Sequence, residues 1–450
     1  MSTSERSAEG VQPVQLDLGA GGAGDTDRMD AVRAQLGHLF PAAPFPLHLG
    51  YGPVPPGYRE VDSWRVIPRR AAPRFLVPTG ARAARRTMLS HNGLRTAKVA
   101  ATRRLAALAM VPLAALHGEA TVLRLSAPAE IGDASVDEAV ITRHLLRRVP
   151  GAVATAVSLR DFHPRAKPTV QLLDERGAVV AFAKVASDPA TGDRVLTEAA
   201  LLEQLGLGLD GEDSPIRLPR VLDVGRCGPF AYSVVQPLPD DARRVGQDQD
   251  ARVLRALAAF GDALGPPRQM TLAQTSLWGE VMERAAAGRE ARGTRPDLVA
   301  GLDRLIATAQ RLDAAAIVPV GCYHGDWVPW NMGWSGEVLW AWDLEYGSAQ
   351  GPLGLDALRW VFQTRHVTGG ATFTEAVAAM TAAAAHLLPA LGVATTLTTT
   401  LVRLHVVETM ATALGLLAGG RGLPRGLDPD AAEVMRSLEG PPGPPPQRRP

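Results

Sequence analysis

The chain has 450 residues, 46% of them hydrophobic and 21% charged, and a formal net charge of +1. That is ordinary globular usage, which excludes a fibrous or largely disordered chain, and it lacks the accumulated positive field that nucleic acid or an anionic membrane requires. Two cysteines, Cys227 and Cys322, are too few and too far apart for a disulfide framework or a zinc site.

A reducing, cytoplasmic setting is therefore expected. Residues 1–28 contain no apolar signal-peptide core, and no window reaches the roughly 18 uninterrupted apolar residues of a membrane span. The Ala-rich stretch from Thr381 to Ala394 is broken by His386 and Pro389.

Both ends read as unstructured tails: residues 1–28 are Gly-rich and polar, and residues 437–450 are Pro-rich. Between them, residues 29–130 form an N-terminal extension of mixed character. Its expected elements are a helix from Met29 to Phe40, extended segments from Tyr58 to Pro68 and Arg74 to Pro78, and a helix from Leu94 to Met110 that stops before Pro112. From Arg59 to Arg104 there are twelve Arg or Lys against two acids, Glu60 and Asp62. A solvated basic face is expected there in preference to an anion-binding one.

Residues 131–239 have a β-rich texture. A helix is expected from Val136 to Arg148, then strands over Val153–Leu159, Thr169–Asp174 and Ala178–Ala186, a helix from Asp193 to Leu205, and two strands around the turn Cys227-Gly228-Pro229. Residues 240–436 are mainly helical, with amphipathic or Ala/Leu-rich segments at Ala251–Leu264, Thr271–Ala287, Pro296–Ala314, Thr372–Leu388 and Thr395–Leu417. An irregular insert from Cys322 to about Leu355 interrupts them and holds five of the eight tryptophans. The expected class is α+β.

That insert carries the chemistry. Phosphoryl transfer needs metal ions on the phosphates, a cation to anchor them, and a carboxylate facing the acceptor hydroxyl. In Tyr323-His324-Gly325-Asp326-Trp327-Val328-Pro329-Trp330-Asn331 an Asp precedes an Asn by five positions, so one tight loop can present Asp326 to a hydroxyl and Asn331 to a metal. The apolar run Val338 to Trp342 ends in Asp343, whose carboxylate suits a hard cation such as Mg2+.

These residues resemble the aminoglycoside phosphotransferase and choline kinase family, whose catalytic loop reads H-G-D-x-x-x-x-N followed by D-x-E or D-x-D. The resemblance covers about Val136 to Leu417. It implies a two-lobed protein-kinase-like fold, with a small antiparallel β lobe and a larger helical lobe. It also implies ATP and Mg2+ as cofactors. Asp326 would be the catalytic base or substrate-orienting acid, His324 a prop for the loop, Asn331 and Asp343 the metal ligands, and Asp356 the buried aspartate that holds the loop. Gly325, where protein kinases usually carry Arg, points away from regulation by activation-loop phosphorylation.

The fold also demands a strand lysine paired with a helix glutamate. Lys184 ends the apolar run Val179-Val180-Ala181-Phe182-Ala183, where burial is costly unless the charge is paired. Glu198 is its expected partner, with Glu203 as the alternative. Gln236 and Leu238 resemble the segment whose backbone meets adenine. The usual Gly-rich phosphate loop is missing, and in its place Arg160 to Pro168 offers Arg165 and Lys167, either as phosphate-binding charges or as a solvated basic turn.

Trp327, Trp330 and Trp334 surround the loop as core or as a stacking platform, with core expected. Trp340 and Trp342 share a strand face expected to pack inside, His386 and His405 are expected in the core, and Cys322 is assigned no chemistry. From Gly321 to the end there are eleven acids against eight arginines without a dense cluster, which does not favour polycationic aminoglycosides. The expected reaction is phosphorylation of a small-molecule hydroxyl on a sugar, polyol or natural product. A nucleotide-binding scaffold and an AMP transferase on the same fold are the alternatives.

Overall fold

The computed structural model describes residues 12–17, 26–40, 42–67, 74–90, 94–117, 121–159, 168–246, 251–293, 295–418, 423 and 430–439. The chain divides into two compact units, residues 1–203 with 219–242 and residues 204–218 with 243–450. The class is α+β.

The first unit is built on a ten-stranded sheet. Strands rich in β-branched and small apolar residues form its centre, Ala154–Ser158, Thr169–Leu173, Val179–Ala186 and Phe230–Val235, which pair antiparallel with one register shift between Val179 and Ala181. The expected boundary at residue 130 is not a break in this sheet. The strand Phe75–Pro78 pairs with Ala154–Ser158 and also with Tyr58–Ile67, so the extension and the β-rich segment form one surface. Buried Trp64 fixes the junction by donating its indole N–H to the Thr155 hydroxyl at 3.0 Å. A single core, including Leu76, Leu125, Val157, Leu172 and Ala183, spans both sides.

Several local expectations are corrected. Gln15–Asp17, inside the expected N-terminal tail, is a strand that pairs parallel with His48–Tyr51, and the first helix is Thr26–Leu39. The helix Ala97–His117 runs through Pro112. A proline removes one N–H bond and strains one turn, a cost that an otherwise Ala/Leu-rich helix can absorb. The single helix expected over Val136 to Arg148 is two, Asp133–Ala139 and Ile141–Arg148, because Val140 is extended at φ −101°, ψ 110°. The helix Pro189–Leu209 then lays Val195, Ala199, Leu202 and Leu205 inward at helical spacing.

The second unit is mostly helical, with the helices Ser276–Gly288, Pro296–Leu312, Leu355–Gln363, Phe373–Ala390 and Thr398–Ala418 around one core. Among the described residues one helix, Thr395–Ala418, is long and apolar enough to cross a membrane by length and composition, and 67% of its apolar window is buried within the protein. The uninterrupted-run criterion passes over it because Arg403, His405 and Glu408 punctuate the sequence. His405 is buried as expected, but neither ring nitrogen has a hydrogen-bond partner, and His386 is exposed rather than in the core. Short strands Ile317–Tyr323, Met332–Ser335 and Val338–Ala341 carry the loop segment. On the last strand the buried residues are Leu339 and Ala341. Trp340 and Trp342 are on the half-buried face, which corrects the expectation that they pack inside.

Candidate functional site

In the first unit, Lys184 sits on the strand Val179–Ala186 with Thr169 and Ser233 as its cross-strand neighbours. Its Nζ donates to both carboxylate oxygens of Glu198, at 2.7 and 2.8 Å. Glu198 is buried on the helix Pro189–Leu209, so a strand cation and a helix anion satisfy each other where either alone would be costly. The Gln236 N–H donates to the Arg220 carbonyl at 2.9 Å. That amide is committed within the protein, so the expected use of Gln236 toward adenine is confined to its carbonyl. Leu238 follows Pro237, which has no N–H, and lies outside regular structure. Arg165 and Lys167 lie outside the described residues.

In the second unit the loop after the strand Ile317–Tyr323 is clamped from beneath. Asp356, buried in the first turn of the helix Leu355–Gln363, accepts the His324 backbone N–H at Oδ2 (2.7 Å) and the Gly325 N–H at Oδ1 (3.1 Å). Gly325 has φ 79°, and a Cβ there would lie 2.3 Å from the Tyr346 carbonyl oxygen. No side chain fits, so glycine at this position has a local steric cause.

The imidazole of His324 is fully buried and bridges the loop to the next strand. Its Nδ1 accepts the Asp326 N–H (3.2 Å), which leaves the proton on Nε2 to be donated to the Trp342 carbonyl (3.1 Å). The Asn331 side-chain amide donates to the Asp326 carboxylate at 2.8 Å and to its carbonyl at 3.2 Å. The five-residue spacing thus closes a ring in which Asn331 orients Asp326. Trp342 in turn donates its N–H to the Asn331 carbonyl (3.1 Å), and the next residue, Asp343, is the one non-glycine among the described residues with positive φ, at 71°. Asp tolerates that conformation better than most residues.

The electrostatics are those of a crowded anionic loop. Burial pushes the Asp326 carboxyl up to about 6. The Arg359 charge pulls it back, Asp343 pushes it further up, the Asn331 hydrogen bond pulls it back and Glu345 adds to the rise. Burial likewise pushes Asp356 up to about 7 against the His324 amide, the Arg359 charge and the Gly325 amide, with Glu408 adding to the rise. The Cys322 thiol is buried and pushed up to about 11 by desolvation, which leaves it inert. Among the described residues, no three His, Cys, Asp or Glu side chains gather as a metal cage.

Sequence reasoning missed the layer behind the loop. Arg359, one helical turn after Asp356, donates to the Tyr323 hydroxyl (2.8 Å) and to Glu408. Arg284 also donates to Glu408, at 3.2 Å, and its guanidinium lies 5.8 Å from the Tyr346 ring. Burial works against the charge on Arg359, but Glu408, Tyr323, Asp356 and Asp326 outweigh it and hold the guanidinium above its ordinary range. The available signal was an Arg and a Glu among the few charged residues of two largely apolar helices.

No family model matches the sequence, and no curated protein matches it. Solved structures are similar to it at low identity. Aminoglycoside phosphotransferase APH(4)-Ia, solved with ADP and hygromycin B, is 12% identical over 66% of this chain and 96% of its own, with a TM-score of 0.41. Ethanolamine kinase from Plasmodium vivax is 10% identical over 68% and 87% of the two chains, with a TM-score of 0.40. A choline/ethanolamine kinase family protein from Mesorhizobium loti is 15% identical over 60% and 86%, with a TM-score of 0.38. These belong to the group whose loop motif the sequence resembles. Likeness of this degree leaves the chemistry of the chain to its own side chains.

Proposed function

We propose that the chain is a small-molecule phosphotransferase that moves the γ-phosphoryl group of ATP to an alcohol. The reading is carried by one observation: the Asp326 carboxylate, in a loop pinned by Asp356, is held at 2.8 Å by the Asn331 amide. A carboxylate fixed in this way, with its charge opposed by burial, is suited to accept a hydrogen bond and then a proton from an acceptor hydroxyl. Asp326 is the base or orienting acid in this reading, and His324 keeps its backbone in place.

The donor set fits a hard divalent cation, for which Mg2+ is the proposed choice. Both Asn331 amide bonds go to Asp326 through Nδ2, which leaves Oδ1 as the donor atom toward a metal, and Asp343 supplies a carboxylate. With so few protein ligands, the remaining coordination falls to phosphate oxygens and water. The bound ion would neutralise charge on the phosphates. In the first unit, the Lys184 ammonium, held by Glu198, is the proposed phosphate anchor, with the Gln236 carbonyl and Leu238 toward the base of the nucleotide. The acceptor is a hydroxyl on a sugar, polyol or natural product.

The test is a mass-spectrometric screen of hydroxylated metabolites with Mg·ATP. A phosphoryl mass gain is expected, and an AMP gain would replace the reaction. Asp326→Ala should lower turnover by about a thousandfold or more while sparing ATP binding. Undiminished turnover in that variant would sink the assignment. A wild-type protein that binds ATP and modifies nothing would instead be a nucleotide-binding scaffold.

A further inference from the structure

The three tryptophans around the loop have different surroundings. Trp327 is fully buried, with the Phe260 and His324 rings at 5.8 and 5.7 Å. Trp334 is half-buried, and the Arg252 guanidinium covers its ring at 4.7 Å. Trp330 is 40% exposed, the one aromatic among the large exposed hydrophobic side chains of the described residues. The chain around it is well packed: Val328, Pro329, Asn331 and Met332 are all buried. Its exposure is therefore not that of a loose loop.

The turn that carries it is pre-organised. Pro329–Asn331 forms a 3-10 turn with proline at its start, closed by the Asn331 N–H donating to the Val328 carbonyl at 3.0 Å. Trp330 directly precedes Asn331, which holds the Asp326 carboxylate. An indole carried on this ordered turn, one residue from the side chain that holds the acceptor carboxylate, offers a large uncharged face at little cost in ordering. Such a face takes an aromatic ring or the C–H face of a sugar and gives little to a flexible acyclic alcohol.

We infer that Trp330 is a stacking platform for the acceptor, and that the acceptor carries its reactive hydroxyl on or beside a ring. The inference rests on the phosphotransfer reading above and narrows its substrate class. It corrects the expectation of core packing for Trp330, and half-buried Trp334 departs from it as well, whereas Trp327 is core as expected.

The test uses the full chain as wild type, Trp330→Ala and Trp330→Phe, with an alcohol library divided into ring-bearing and acyclic halves. Both variants should fold, with Trp330→Phe close to wild type and Trp330→Ala unfolding somewhat below it, because at 40% exposure part of the side chain is still packed. Phosphorylated compounds should come from the ring-bearing half. Trp330→Ala should raise the acceptor KM about tenfold, the size expected for loss of one aromatic contact, with the ATP KM unchanged and most of the loss restored by Phe. Phosphorylation of acyclic alcohols only, or an unchanged acceptor KM in the Ala variant, would overturn the platform. If neither half is phosphorylated, the phosphotransfer reading fails separately, and saturation-transfer NMR of the ring-bearing half decides the platform. Binding signals lost in Trp330→Ala support it; signals equal in both proteins, or absent from wild type, overturn it.

Discussion

Three buried anions of the helical unit and two of the sheet unit are held differently, although Asp137 of the sheet unit holds both Arg143 and Arg147. In the helical unit three buried carboxylates each hold two partners: Glu408 holds Arg359 and Arg284, Asp313 holds Arg403 and the Thr400 hydroxyl, and Asp356 holds two loop amides. In the sheet unit Asp62, on the strand Tyr58–Ile67, accepts the Ser63 N–H at Oδ1 (2.9 Å), while its buried Oδ2 makes no well-formed hydrogen bond and has the Thr142 hydroxyl near enough to act on its charge. Glu198 is held by a lysine that is itself one-quarter exposed, at 26%. A saturated anion cannot lose a partner without stranding a buried charge, whereas an anion with a spare oxygen or a mobile cation can respond to pH or ligand.

The largest effect is expected where saturation is greatest. Glu408→Ala strands Arg359, so it should cost about 3–5 kcal/mol of unfolding free energy, measured by urea denaturation. Activity should fall with it, because Arg359 also bonds Tyr323 at the base of the loop that carries Asp326. A loss no larger than that of Glu198→Ala would erase the contrast between the units.

Asp62 gives a pH signature of opposite character. Burial pushes its carboxyl up to about 7, partly opposed by Thr142, the Ser63 amide and the Arg143 charge, with Glu60 adding to the rise. The unfolded carboxyl titrates near 4. Below about pH 4 both states are protonated and the fold bears no penalty. As pH rises toward 7 the unfolded chain ionises freely while the fold resists, so stability declines and then levels off above about 7. Between about pH 5 and 7 the change is about 2–3 kcal/mol. Asp62→Asn should flatten this slope and raise the melting temperature at about pH 8. A slope unchanged in the variant would assign the pH response to another group.

How much of this was legible follows from sequence distance. The ring from Asp326 to Asn331 is set by a five-residue spacing, and the Lys184–Glu198 pair by a lysine in an apolar run fourteen residues before its partner. Both are local enough for residue type and spacing to constrain. The Arg359–Glu408 pair spans 49 residues between two helices, and no periodicity links them. The extension merged into the sheet for the same reason: pairing of Phe75–Pro78 with Ala154–Ser158 crosses about eighty residues and leaves no mark on either strand alone. The helix limit at Pro112 was missed because the Ala/Leu-rich sequence on both sides offsets the proline's cost, and the break at Val140 because no glycine or proline announces it. Exposure divided Trp330 from Trp327, and composition cannot report exposure.

The smallest expected effect lies at Glu198. Removing it leaves Lys184, whose partly exposed ammonium can reach water by a change of rotamer, so Glu198→Ala should cost about 1–2 kcal/mol, less than Glu408→Ala. The functional loss should be disproportionate. A lysine free to turn toward solvent no longer presents its charge at one place, so ATP affinity, measured by calorimetry, should fall more than stability does. Lys184→Met separates the two effects, because it strands buried Glu198 and should destabilise at least as much while also removing the proposed phosphate anchor. If Glu198→Ala bound ATP as tightly as wild type, the pair would be structural, and the cation for phosphate would have to come from elsewhere in the chain.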